Sequence, residues 1–80
     1  MSNIIITFLS HYDAVNFLGE NKENYDNIKI SPVPRQISSS CGSCIMLEGN
    51  LIDIDLKSID SSEYLYEIID NKYIKVAENE

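Results

Sequence analysis

The order of strand-like and helix-like segments in this chain of 80 residues predicts an α+β fold. Residues 4–9 form a continuous run of β-branched, aromatic and aliphatic side chains, which is typical of a central strand buried on both faces. A segment with helical spacing follows this run, and later apolar segments alternate as strands do. A chain of this length should form one domain, over residues 1–80, with a small core. A homodimer would be one way to cover leftover apolar surface.

The first helix is predicted to follow Ser10, which can act as its N-cap. Asp13 stands three residues later, close to the capping-box pattern. The helix should run to about Lys22 or Asn24. Its apolar stripe has spacings of three and four residues and consists of Ala14, Phe17 and Leu18. This stripe should pack on the sheet.

Two further strands are predicted on either side of a polar loop in the middle of the chain. Residues 28–30 alternate as a short strand, and residues 44–47 are apolar again and are closed by Gly49 and Asn50. The loop between them therefore joins two strands. Cys41 should lie at the end of this loop rather than at the start of a helix.

The last third of the chain contains one ambiguous segment and a hairpin. Residues 51–59 fit a strand by alternation and a short helix by the spacing of positions 52, 56 and 59. We expect the helix, because a β-α-β-β-α-β order places both helices on one face of the sheet. Residues 64–69 alternate as a strand, Asp70 and Asn71 form a two-residue turn, and residues 73–76 form the returning strand. The predicted fold is a small ferredoxin-like β-α-β-β-α-β sandwich with a C-terminal hairpin.

The charge balance excludes several classes of partner. Thirteen acidic and six basic residues give a net charge of −7, so no cluster of Lys and Arg can neutralise nucleic-acid phosphates. An anionic membrane surface would repel the chain for the same reason. The N-terminus lacks the positive region of a signal peptide, and residues 4–9 are too few to span a bilayer, so we expect a cytoplasmic protein. In that reducing compartment the two cysteines should not form a permanent disulfide.

The loop between Pro32 and Cys44 contains the residues best suited to chemistry. Prolines stiffen its start, three serines offer hydroxyl groups, and Gly42 allows a sharp turn or a close approach after Cys41. A cysteine reacts as its thiolate, which nearby cations and backbone N–H groups favour. Cys41 is therefore the candidate reactive thiol, although it could also be a small residue that helps the turn to pack. The residues expected to activate this thiol, or to bind an anionic group beside it, are Arg35, Ser38, Ser39, Ser40 and Gly42.

Cys44 is predicted to be a core residue, because it opens an apolar strand. It forms a CxxC pair with Cys41, but redox pairs of the thioredoxin type lie at a helix start, and a strand follows here. The pair supplies two of the four ligands that zinc needs, and His11 alone cannot complete the set, so we expect no metal site. We expect His11 to be an exposed residue of the first helical turn.

Residues 32–42, Pro-Val-Pro-Arg-Gln-Ile-Ser-Ser-Ser-Cys-Gly, resemble the signature of a family of small bacterial proteins described as selenium/sulfur carrier protein-like. A looser similarity extends over the whole chain. The resemblance implies a thiol-carrier-like domain in which Cys41 holds the chalcogen as a persulfide or selenosulfide. It implies a carrier rather than a turnover enzyme, with no cofactor. The donor would be a cysteine desulfurase or a selenocysteine lyase-type enzyme, and the acceptor a protein thiol. Cys44 stands where that family has small or aliphatic residues.

Two other functions remain open from the residues themselves. The chain could be a non-catalytic binding or regulatory module, in which the loop captures a partner or a small anion. It could also be a thiol-redox protein that uses both Cys41 and Cys44. A persulfide on Cys41 would identify the carrier, and a reversible loss of two hydrogens across the pair would identify the redox protein.

Overall fold

The computed structural model describes residues 2–37 and 42–79 of the chain. In chain order its elements are β1 (Ser2–Phe8), α1 (His11–Asn21), β2 (Asp26–Pro32), β3 (Ser43–Gly49), two one-turn 3-10 helices (Leu51–Asp53 and Leu56–Ser58), β4 (Ser62–Ile69) and β5 (Lys72–Glu78). The predicted α+β class is confirmed. No helix in the described parts of the chain is long and apolar enough to cross a membrane.

The five strands form one antiparallel sheet in the order β2-β3-β1-β4-β5. β1 is central, and its Ile5 lies between Met46 of β3 and Tyr66 of β4. All residues from Ile4 to Phe8 are fully buried. The prediction of a first strand buried on both faces is therefore confirmed for residues 4–8. Leu9, the last residue of the predicted run, lies after the strand and is 54% exposed. The strand starts two residues earlier than the apolar run, because the ladder includes polar Ser2 and Asn3.

α1 begins where the sequence predicts. The Ser10 hydroxyl accepts a hydrogen bond from the backbone N–H of Asp13 at 3.2 Å and donates one to the Asp13 carboxylate at 2.6 Å. Such a cap contributes about 1 kcal/mol. Ala14 and Phe17 of the predicted stripe are buried, and the Phe17 ring lies 5.5 Å from that of Phe8. The helix ends at Asn21, slightly before the predicted end.

The single helix predicted over residues 51–59 was wrong. The two 3-10 helices in this region are separated by Ile54 and Asp55, whose backbones are extended. Ile54 and Leu56 are both buried, and side chains two residues apart can share a face only when the backbone between them is extended. The Asp55 carboxylate also accepts the backbone N–H of Lys57 at 3.1 Å, as an N-cap does. Ile52, which the helical spacing placed inside, is 94% exposed.

The predicted C-terminal hairpin is confirmed. Asp70 and Asn71 both have positive φ, at 50° and 64°, as a type I′ turn requires of its two central residues. This turn matches the right-handed twist of paired strands, and β4 and β5 pair from Ile69 opposite Lys72 to Tyr64 opposite Glu78. Asp and Asn tolerate this conformation better than most side chains do.

The sheet carries a separate apolar cluster on each face. The larger cluster lies on the face covered by α1 and contains Ile4, Ile6, Phe8, Ala14, Phe17, Ile45, Leu47, Ile54, Leu56 and Leu65. The smaller cluster lies on the opposite face and contains Ile5, Ile37, Cys44 and Tyr66. Since Ile37 belongs to the loop between β2 and β3, this second cluster attaches the loop to the sheet.

Candidate functional site

The loop between β2 and β3 has a firmly held base. Pro32 pairs with Ser43 at the end of the β2–β3 ladder, and one step further the Val33 N–H donates to the Gly42 carbonyl at 3.0 Å. The loop therefore joins two strands, as the sequence predicts, and its two ends are hydrogen-bonded to each other.

The first half of the loop is a β-turn fixed by a buried side chain. The Ile37 N–H donates to the Pro34 carbonyl at 3.0 Å, so Arg35 and Gln36 occupy the tip of the turn and are exposed. Ile37 is only 6% exposed and packs in the cluster with Ile5. Burying an isoleucine of this kind contributes about 1.5–3 kcal/mol. The sequence reasoning overlooked Ile37, although it is the one aliphatic side chain between two charged or polar stretches of the loop.

Gly42 does not use the left-handed conformation that glycine favours, and its predicted close approach to a partner stays a prediction. No described glycine has a positive φ, and a Cβ built on Gly42 would meet no atom of the described residues within 4 Å. Gly42 is also exposed. Neither a turn nor crowding within the described residues requires glycine here.

Cys44 lies inside the sheet. In the register it stands between Thr7 of β1 and Ser31 of β2, and its side chain is fully buried. Its Sγ lies 3.9 Å from the Pro32 carbonyl oxygen. This position agrees with the prediction that Cys44 is a core residue. The predictions for Ser38, Ser39, Ser40 and Cys41 fall outside the described residues.

The start of α1 contacts the end of the loop. His11 is the first residue of α1, and its Nδ1 lies 2.9 Å from the Ser43 Oγ. The prediction that His11 is exposed is confirmed, but the sequence reasoning missed this contact between residues 32 positions apart. The contact follows from the strand register. Thr7 pairs with Cys44, so the residues just after β1 meet Ser43, the first residue of β3, at the same end of the sheet.

A groove on the helix side of the sheet carries much of the negative charge. It has a volume of about 460 Å³ and lies between α1 and the segment with the two 3-10 helices. Its floor includes the Phe8, Phe17 and Ile54 side chains, and the carboxylates on its walls belong to Asp13, Glu20, Asp53, Asp55 and Asp60. Over residues 2–37 and 42–79, no three His, Cys, Asp or Glu side chains are grouped in a way that could hold a metal ion.

Comparison with known proteins identifies one family. A family model described as "Putative Se/S carrier protein-like" matches residues 3–77. The match covers nearly the whole chain, from β1 through the loop to β5. No curated protein and no solved structure matches the chain.

Proposed function

Because the chain belongs to the Se/S carrier protein-like family, we propose that it carries sulfur or selenium on Cys41, as a persulfide or a selenosulfide. The observation that carries this proposal is the family match over residues 3–77. Cys41 belongs to the segment that connects β2 to β3, and functional residues often lie on loops held by a rigid scaffold.

The described part of the loop supports this role. Ile37 is anchored on the sheet immediately before residues 38–41, and Gly42 is hydrogen-bonded to Val33 immediately after them. The scaffold therefore holds both ends of the segment that contains Cys41. Arg35, at the exposed tip of the preceding turn, is a cation of the same loop and would favour the thiolate.

The proposed transfer needs one thiol. The Cys41 thiolate attacks the outer sulfur of a donor persulfide, a new bond forms to that sulfur, and the donor leaves as its thiolate. A protein thiol then removes the sulfur from Cys41 in the same way. The burial of Cys44 supports a one-thiol carrier over a redox pair, because a disulfide partner must present its sulfur to the attacking thiolate. The chemistry needs no resident cofactor.

The donor and acceptor are proposed from chemistry and charge. A cysteine desulfurase or a selenocysteine lyase-type enzyme would supply the chalcogen, and a protein thiol would accept it. The net charge of −7 and the carboxylates of the groove favour partners with basic docking surfaces. We propose that this exchange takes place in the cytoplasm, where thiols stay reduced.

We also propose that the fold is a variant of the ferredoxin-like sandwich. The strand order β2-β3-β1-β4 supports this assignment, because α1 connects β1 to β2 and β3 lies between them. The variant differs in two respects. The second helix is reduced to two 3-10 helices, and β5 adds a strand at the edge of the sheet.

The test of the carrier function is the intact mass of the protein after incubation with a desulfurase and cysteine, or with a lyase and selenocysteine. We expect a gain of one sulfur or selenium atom, reversed by dithiothreitol. Cys41→Ser should abolish the gain. Cys44→Ser is the matched control and should retain it, with some loss of stability because a hydroxyl enters the core. No gain in the wild type with either donor would refute the proposal and favour a binding module.

A further inference from the structure

The apolar cluster on the face of the sheet opposite α1 contains no helix residue of the described chain. Its buried members are Ile5, Ile37, Cys44 and Tyr66, and the partly exposed side chains packed against them are Val33, Met46, Tyr64, Ile68 and Tyr73. All of these belong to strands or to the start of the loop between β2 and β3. We call this surface the tyrosine face, after Tyr64, Tyr66 and Tyr73. Tyrosine and methionine are enriched where one protein surface packs on another.

The tyrosine face carries charges of both signs and little net charge. Residues directly opposite each other in paired strands lie on the same face of the sheet, so Lys29 accompanies Met46, and Lys75 accompanies Tyr66. The Lys75 Nζ lies 4.5 Å from the centre of the Tyr64 ring, which agrees with this placement. The charged residues that the register places here are two lysines and three carboxylates, namely Lys29, Lys75, Asp26, Glu48 and Glu78. They sum to −1, while the whole chain carries −7.

The carboxylates of the groove lie on the other side of the molecule. They line the space between α1 and the two 3-10 helices. A helix is about 10 Å across, so these carboxylates lie about one Debye length or more behind the tyrosine face at physiological salt. Two copies that meet through their tyrosine faces therefore keep these carboxylates apart. Contact through α1 would bring them together.

The tyrosine face is large enough for a stable contact between two copies. The sheet has five strands, and each strand is seven or eight residues long. At about 4.8 Å between strands and about 3.3 Å for each residue, the face measures about 24 by 23 Å, or roughly 550 Å². A pair of copies would bury about 1,100 Å², which exceeds the roughly 1,000 Å² expected of a specific protein–protein contact.

We propose that the tyrosine face is the interface of a symmetric homodimer, in which the sheets of two copies pack face to face. In a twofold dimer the same patch serves both copies, so a face with both lysines and carboxylates is compatible with itself, whereas a uniformly acidic face is not. Burial of the partly exposed Met46, Ile68 and Tyr73 side chains supplies the hydrophobic contribution. The acidic groove stays on the outside of each copy, where a basic partner can reach it. The inference does not depend on the carrier function.

The experiment is sedimentation equilibrium over about 1 to 200 μM protein, a range that spans a micromolar dissociation constant. The chain has a mass of 9.1 kDa, and a dimer doubles it. Lys75→Glu puts a further carboxylate on the tyrosine face. Lys72→Glu is the matched control, because it makes the same change in net charge on the same strand, but Lys72 pairs with Ile69 on the opposite face, and both lysines are exposed. Circular dichroism confirms that each variant is folded.

We expect the wild type to dimerise with a dissociation constant in the micromolar range. Lys75→Glu should raise this constant about tenfold or more at low salt, and less at high salt, because it brings like charges together across the interface. Lys72→Glu should leave the constant nearly unchanged. Tyr73→Ala, which removes a ring from the tyrosine face, should also weaken the dimer, and Ile74→Ala, at the next position and on the opposite face, should not.

A wild type that remains a monomer at about 200 μM would overturn the inference. A dimer that Lys75→Glu and Lys72→Glu weaken equally would overturn it as well, because the effect would then follow net charge and not the tyrosine face. Loading with sulfur separates the inference from the carrier function. If the protein is a monomer that gains sulfur, the dimer interface fails and the carrier function stands, and if it is a dimer that gains none, the reverse holds.

Discussion

Replacing Ile37 by alanine should detach the first half of the loop from the sheet. Ile37 is 6% exposed and contacts the cluster of Ile5, Cys44 and Tyr66. The substitution removes three carbon atoms from this cluster. At about 0.8 kcal/mol for each buried methylene, the transfer loss is about 2–3 kcal/mol. The cavity adds little, because a loop residue can relax more than a strand residue can.

A loss of this size is measurable in a domain of 80 residues. One kcal/mol shifts the Tm of such a domain by about 4–8 °C, so Ile37→Ala should lower it by about 10–20 °C. Urea unfolding followed by circular dichroism should show the same free energy difference with an unchanged m-value. Ile37→Val should lose only about 1 kcal/mol.

The matched control is Ile52→Ala, which makes the same chemical change at a side chain that is 94% exposed. It should change the free energy of unfolding by less than about 0.5 kcal/mol. If Ile37→Ala costs no more than Ile52→Ala, Ile37 does not anchor the loop. Cys41 alkylation should also respond to Ile37→Ala and not to Ile52→Ala, since residues 38–41 follow the anchor directly.

Three further predictions concern the loop and the hairpin. Arg35→Ala should raise the pH midpoint of Cys41 alkylation. Arg35→Lys should raise it less, because lysine keeps the positive charge. An unchanged midpoint in Arg35→Ala would remove Arg35 from the site. Gly42→Ala should leave the Tm unchanged, because a Cβ there meets no atom of residues 2–37 and 42–79 within 4 Å. A marked drop in Tm would contradict the geometry of this residue. The same variant should slow sulfur transfer if a partner must approach this backbone closely. Asn71→Ala should destabilise the chain by about 1 kcal/mol and Asn71→Gly should not, because only the alanine is strained at a φ of 64°. Equal Tm values for the two variants would argue against the type I′ turn.

The positions of Ile37, Cys44 and His11 in the structure differ in how far the sequence could predict them. The burial of Cys44 was predictable, because it opens an apolar strand and the pattern of a strand is local. Ile37 had a local signal, an aliphatic residue between the polar residues 35–36 and 38–40, but the face of the sheet that it covers depends on how β1, β3 and β4 align. The His11–Ser43 contact had no local signal, since it depends on the pairing of Thr7 with Cys44.

The sequence by itself determined the α+β class, the central strand, the capped start of α1 and the terminal hairpin, because each depends on neighbouring residues. The strand follows from an apolar run, the start of α1 from Ser10 before Asp13, and the hairpin from Asp70 with Asn71. Only the tertiary structure decided the order of the strands and the form of residues 51–59. In that segment the burial of both Ile54 and Leu56 outweighs the weak helical spacing. Tertiary structure also decided which residues meet at the end of the sheet, because strand register brings together positions that are far apart in the chain.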